Sequence, residues 1–169
     1  GSQAGLGWIG NNRFWWQQAP SGTVTASYDN TVFYNGLQSM KFALSASSTV
    51  YPGSWPTTGY PLKKWYWPCT PSTAYKISYR FKVDSTNLSA TAFYLSTWDS
   101  AGANQNYRQP QDPATGQVLD WTLYSATYNT TSSEYFLGIL LRLTTGAGGG
   151  ANVWFDDIYI QKVSRSAVV

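Results

Sequence analysis

From Tyr75 to Val83 the chain alternates strictly. Tyr75, Ile77, Tyr79, Phe81 and Val83 are apolar or aromatic, and Lys76, Ser78, Arg80 and Lys82 fall between them. A period of two sends successive side chains to opposite faces, so this segment predicts a half-buried strand. The same rhythm runs from Thr91 to Trp98, where Phe93 and Leu95 oppose Tyr94 and Ser96, and again from Trp121 to Tyr128. A fourth run, Glu134 to Thr144, sets Leu137, Ile139, Leu141 and Leu143 against Phe136, Gly138, Leu140 and Arg142. Weaker strand candidates are 22–28, 39–45, 62–69 and 152–161, with a further one in the aromatic stretch Trp8 to Trp16.

Turn residues punctuate these runs at Asp29-Asn30, Asn35-Gly36, Ser100-Ala101-Gly102, Ala114-Thr115-Gly116 and 146–150. No window sustains the i, i+3, i+4, i+7 apolar spacing of a helix. Many short strands with regular turns predict an all-β protein, a jelly-roll β-sandwich of two antiparallel sheets. The alternation assigns Tyr75, Tyr79, Phe81, Phe93 and Phe155 to its core, joined by Trp65, Trp67 and Trp121. The polar stretch from Ser100 to Gln117 is long for a loop in a compact β-domain, and loops of that length usually carry function.

At 169 residues one domain is expected. It is placed at 3–163, with Gly1-Ser2 read as a cloning scar and 164–169 as a fraying tail. Apolar residues make up 43% of the chain and charged ones 11%, enough to build a core and too apolar for a disordered segment. The net charge is +3, but the basic residues are scattered singly apart from Lys63-Lys64. Nucleic-acid binders show a clustered basic stripe instead. No segment approaches the ~20 consecutive apolar residues of a membrane span.

There is no histidine, which removes Ser-His-Asp and Cys-His nucleophilic sites and almost every zinc site. Cys69, the single cysteine, sits in an apolar stretch and is expected to be a buried, inert thiol. A glycosidase needs two carboxylates flanking the scissile bond, and the supply is thin. Glu134 is expected to be a solvated edge charge, and most of the seven aspartates fall at turns. No enzyme is expected.

Aromatic residues make up 17% of the chain, with nine Trp and 13 Tyr. Trp and Tyr rings stack on the C–H faces of sugars, and Asn, Gln, Arg and Asp bond their hydroxyls. A sandwich core absorbs many such rings, yet Trp55, Tyr60, Tyr66, Tyr94, Trp98 and Tyr107 are left on the other face or in loops. Rigid aromatic surface with a few placed polar groups is the general composition of a binding site.

Four segments then resemble one family. Gly36-Leu37-Gln38-Ser39-Met40-Lys41-Phe42 resembles the "G-x-x-S-L-K-F" strand of jelly-roll carbohydrate-binding modules of the family 4, 16 and 22 type. Residues 71–78, Pro-Ser-Thr-Ala-Tyr-Lys-Ile-Ser, resemble their "P-G-T-x-Y-x-x-S" strand start. Trp121 with Tyr124 and Tyr128 resembles "W-x-x-Y-x-x-x-F", and residues 153–160, Val-Trp-Phe-Asp-Asp-Ile-Tyr-Ile, resemble the closing "V-W-F-D-D-V-x-L" strand. The pieces come in the family's order across 36–160. The family's N-terminal "N-x-x-F-E" is not evident.

The resemblance implies a non-catalytic, secreted, monomeric module that holds a parent glycoside hydrolase near a polysaccharide; β-glucan, xylan and mannan all remain open. A different class fits the same features: a structural or adhesive jelly-roll unit of a bacterial or phage surface protein. The resemblance also implies a structural calcium ion held by Asp156, with backbone carbonyls supplying most other ligands because the family's N-terminal Glu ligand lacks a counterpart. For the sugar site, alternation puts Arg80 and Arg142 mid-strand on non-core faces, with Tyr94 between polar neighbours. The resemblance makes Tyr60 or Trp55 the stacking aromatic. Tyr107 and Arg108 in the long polar stretch offer a second wall, and Trp98 closes one end.

Overall fold

The computed structural model describes residues 16–53, 67–103, 106–108 and 111–163. Eleven strands are present: β1 (Trp16–Ser21), β2 (Val24–Asp29), β3 (Ser39–Leu44), β4 (Thr49–Gly53), β5 (Trp67–Pro68), β6 (Ala74–Val83), β7 (Leu88–Trp98), β8 (Asn106–Arg108), β9 (Leu119–Asn129), β10 (Phe136–Thr145) and β11 (Ala151–Lys162). No helix occurs among the described residues. One sheet has six strands in the order β1-β4-β10-β7-β8, with β5 also paired to β10; the other has five in the order β2-β3-β11-β6-β9. Every pairing is antiparallel. The protein is therefore the all-β sandwich that the alternation predicts. The last two strands, β10 and β11, take the middle place in their respective sheets.

The core lies between the sheets and is built by the predicted alternation. Tyr75, Ile77, Tyr79, Phe81 and Val83 of β6 and Leu137, Ile139, Leu141 and Leu143 of β10 all point into it. Tyr79 of one sheet stacks on Phe93 of the other, with ring centroids 4.2 Å apart and planes 7° from parallel. Phe155 meets Phe42 and Phe81 edge-on. Each such ring contributes roughly 1.5–3 kcal/mol by leaving water, and each aromatic pair adds about 0.5–1.5 kcal/mol. The Tyr79 hydroxyl is satisfied by donating to the Gln111 carbonyl at 2.8 Å.

Two local features fix the outline. Gly22 ends β1 with a φ of 69°, and a Cβ there would run into Ser48, so this tight approach requires glycine. In β11 the register slips between Asp156 and Tyr159, and Asp157 takes a φ of 47°. This is a bulge, which re-aims the flanking side chains.

Several sequence expectations change. Trp121 does not join the core: it sits on the outward face of β9, edge-on to Tyr34 at 6.2 Å, because Tyr124 takes the inward position and its odd-numbered neighbours turn out. Trp67 packs against the core as expected, while Trp65 and Tyr66 lie outside the described residues. Strand β4 was not foreseen, since its Pro52-Gly53 end reads as a turn. Strand β8 lies within the polar stretch expected to be a loop. Of the 62–69 candidate, the described part holds only the two residues of β5.

Candidate functional site

The outward face of the six-stranded sheet carries the clearest anomaly. Its middle strands β7 and β10 pair so that Trp98 faces Phe136, Ser96 faces Gly138, Tyr94 faces Leu140 and Ala92 faces Arg142. On the other side of β10, Leu143 pairs with Val50 and Leu140 with Gly53, which sets Tyr51 across from Arg142. Arg142 thus lies in mid-sheet with half-buried Tyr51 beside it and half-buried Tyr94 on the diagonal, positions that reach one another in an antiparallel sheet.

Ala92, Ser96, Trp98, Gly138 and Leu140 are buried although they face away from the core. Two polar atoms there have no hydrogen-bond partner: the Ser96 hydroxyl, in a residue only 1% exposed, and Arg142 Nε. They are the two buried side-chain N or O atoms without a partner among the described residues. Native proteins pair nearly all such atoms, and each exception asks for a reason. Both lie on one face, separated by four residues of strand, or roughly 13 Å.

Arg80 does not share that face. It stands on the outward side of β6 in the five-stranded sheet, its guanidinium carbon 3.9 Å from the Tyr34 ring centroid. Equal alternation in two strands says nothing about which sheet each joins. Arg108 is likewise turned away. It pairs with Leu95, points between the sheets, and bonds the Tyr128 hydroxyl at 3.1 Å and Glu134 at 3.4 Å. Tyr107 pairs with Ser96 through the backbone. Trp55 and Tyr60 lie outside the described residues. Of the expected sugar contacts, then, Tyr94, Trp98 and Arg142 come together, and Tyr51 is an addition that an unrecognised strand had hidden.

Glu134 is no edge charge: it is 2% exposed. Thr97 and Tyr128 hydroxyls donate to it at 2.7 and 2.6 Å, and the Thr131 N–H at 2.8 Å. Burial pushes its carboxyl up, but these bonds and the Arg108 charge outweigh that and hold it below the ordinary glutamate value. The Tyr128 phenol is pushed up to about 12 by burial and by its bond to Glu134.

Asp156 is buried, and its carboxylate already accepts three backbone N–H groups: Tyr34 at 2.8 Å, Asn35 at 3.2 Å and Asp157 at 2.7 Å. Calcium takes six to eight oxygen ligands. No cluster of three or more His, Cys, Asp or Glu side chains that could hold a metal occurs among the described residues. The Asp156 side chain thereby ties the segment around Tyr34 and Asn35 to β11.

These strands recur in known structures. The chain superposes on the CBM22-1 xylan-binding domain from Paenibacillus barcinonensis Xyn10C with a TM-score of 0.53 and 20% identity, over 89% of this chain and 87% of that one. It superposes equally on part of a Clostridium thermocellum xylanase, the CBM22-1-GH10 modules of Xyn10B complexed with xylohexaose (TM-score 0.56, 18% identity), covering 86% of this chain and 26% of that chain. The fold is the β-sandwich of carbohydrate-binding modules. The same fold matches the enzymatically active domain of tailspike protein 4 from bacteriophage CBA120, with a TM-score of 0.61 and 14% identity, over 92% of this chain and 20% of that chain. The chain thus spans about a quarter or less of the xylanase and tailspike chains. No family model and no curated protein matches it.

Proposed function

We propose that the protein is a non-catalytic carbohydrate-binding module whose polysaccharide lies across the outward face of the six-stranded sheet. The observation that carries this reading is Arg142, half-buried with no partner for its Nε, standing between the half-buried rings of Tyr51 and Tyr94 on a non-core face. A guanidinium donates to sugar hydroxyls, and flat rings beside it supply stacking area. The xylan-binding domain of the same fold supports the choice of ligand class.

Catalysis has little to work with on this face. All eight acidic residues of the chain lie among the described residues, and none is on it. Glu134 is enclosed between the sheets, Asp99 and Asp112 cap backbone N–H groups, and the rest belong to the five-stranded sheet or its turns. A secreted setting, attached to a glycoside hydrolase, goes with this reading. A second reading, a structural unit of a phage or bacterial surface protein, is favoured by the tailspike likeness.

Affinity electrophoresis against β-glucan, xylan and mannan gels separates the two. Retardation is expected in at least one gel and is reduced in Tyr94→Ala. Free migration through every polysaccharide, charged ones included, overturns the binding reading in favour of the second.

A further inference from the structure

We infer that the polysaccharide is acidic and that Arg142 receives a uronate carboxylate. The inference rests on the binding face proposed above and narrows the ligand from polysaccharide to uronic-acid-bearing polysaccharide. Its basis is a charge without a counter-charge. Among the described residues Lys41 lies 3.8 Å from Asp29, Lys82 2.6 Å from Asp120 and Arg108 3.4 Å from Glu134, while Arg80 stacks on Tyr34. Lys76 is exposed to solvent, and Lys162 reaches the Thr70 hydroxyl.

Arg142 is different: it is half-buried, its Nε is cut off from water, and no acceptor among the described residues meets that nitrogen. None of the eight acids stands on its face or forms an ion pair with it. Holding a guanidinium out of water without an anion is costly, and a site that accepts this cost gains when an anion arrives.

The geometry selects the kind of anion. A guanidinium presents a planar fork of donors that matches a carboxylate in two parallel bonds. A single arginine flanked by Tyr51, Ala92 and Tyr94, with no lysine on the described part of the face, suits one planar monovalent group on a sugar ring. It does not suit a densely sulfated chain, which calls for several cations. The flanking tyrosines then stack on the ring that bears the carboxylate.

The test compares polymers that differ only in charge. Glucuronoxylan, polygalacturonate and alginate are each titrated beside their carboxyl-reduced counterparts, with xylohexaose as a neutral ligand. At least one acidic polymer is expected to bind about tenfold more tightly than its reduced form, the difference a charged hydrogen-bonded pair supplies. Arg142→Gln, checked for an unchanged melting temperature, removes that difference, so that acidic and reduced polymers bind it alike. Lys76→Gln, with the same loss of charge on the opposite sheet, preserves it. Equal binding of acidic and reduced polymers overturns the inference while the binding reading stands. A preference that survives Arg142→Gln and disappears in Lys76→Gln overturns it as unspecific attraction to a basic protein. Silence toward every polymer overturns both readings.

Discussion

Arg108 and Glu134 meet at the end of the sandwich, Nη2 to Oε1 at 3.4 Å, with the carboxylate sealed between the sheets and the guanidinium half in water. The pair closes the gap between β8 and the segment before β10, with Tyr128 of the other sheet bonded to both. It joins the two sheets by polar bonds where the apolar core ends.

Glu134→Gln is expected to lower stability by about 1–3 kcal/mol, because charged hydrogen bonds are lost inside a buried site. The wild-type carboxyl also titrates lower when folded than when unfolded. Its contribution is therefore complete above the unfolded value, about pH 4.3, and fades as pH falls through the lowered folded value. Chemical denaturation at pH 7 and pH 3 checks this: the wild type loses more stability on acidification than Glu134→Gln does.

Arg80 and Arg142 stand on opposite outer faces, so their substitutions have opposite outcomes. Arg80→Ala leaves polysaccharide affinity unchanged, whereas Tyr51→Ala and Tyr94→Ala each weaken it several-fold, in keeping with ~0.5–1.5 kcal/mol per stacking contact. Titration calorimetry with the best-bound polymer reads this directly. Equal losses in Arg80→Ala and Tyr94→Ala would move the site to the other sheet.

Asp156→Ala is expected to destabilise the protein by about 2 kcal/mol or more, since three backbone N–H groups lose one charged acceptor. Amide exchange should quicken at Tyr34 and Asn35. A chelator leaves the wild-type melting temperature unchanged, because Asp156 works through these bonds. A fall on chelation would assign the residue to a metal.

The Cys69 thiol is pushed up to about 11 by burial and by the nearby Glu134 charge. A thiolate is the reactive form, so alkylation at pH 7.5 should be slow in the native protein and rapid in denaturant, as mass spectrometry would show.

The sandwich was legible because alternation reports directly on burial. Every long strand predicted from it is present, with ends displaced by a few residues, and the division of β10 into Leu137-Ile139-Leu141-Leu143 and Gly138-Leu140-Arg142 faces is the one found. The site was legible in part. Alternation gives each strand a face without saying which sheet the strand enters, and so it placed Arg80 beside Arg142. It also assumed that a polar residue away from apolar neighbours is wet, which fails for Glu134, whose partners Thr97, Tyr128 and Arg108 come from three other strands. Tyr51 was hidden by Pro52-Gly53, a dipeptide that reads as a turn but here ends an inner strand.

The central places of β10 and β11 bear on how the chain is made. During synthesis, β3 and β6 emerge well before the strand that separates them, as do β4 and β7. Each waits with an open edge for residues 136–162 to arrive. The sandwich therefore forms late and all at once, through pairings distant in sequence, the kind that fold slowly. A ribosome stalled before residue 136 would present a chaperone with aromatic strands paired along one edge and open along the other.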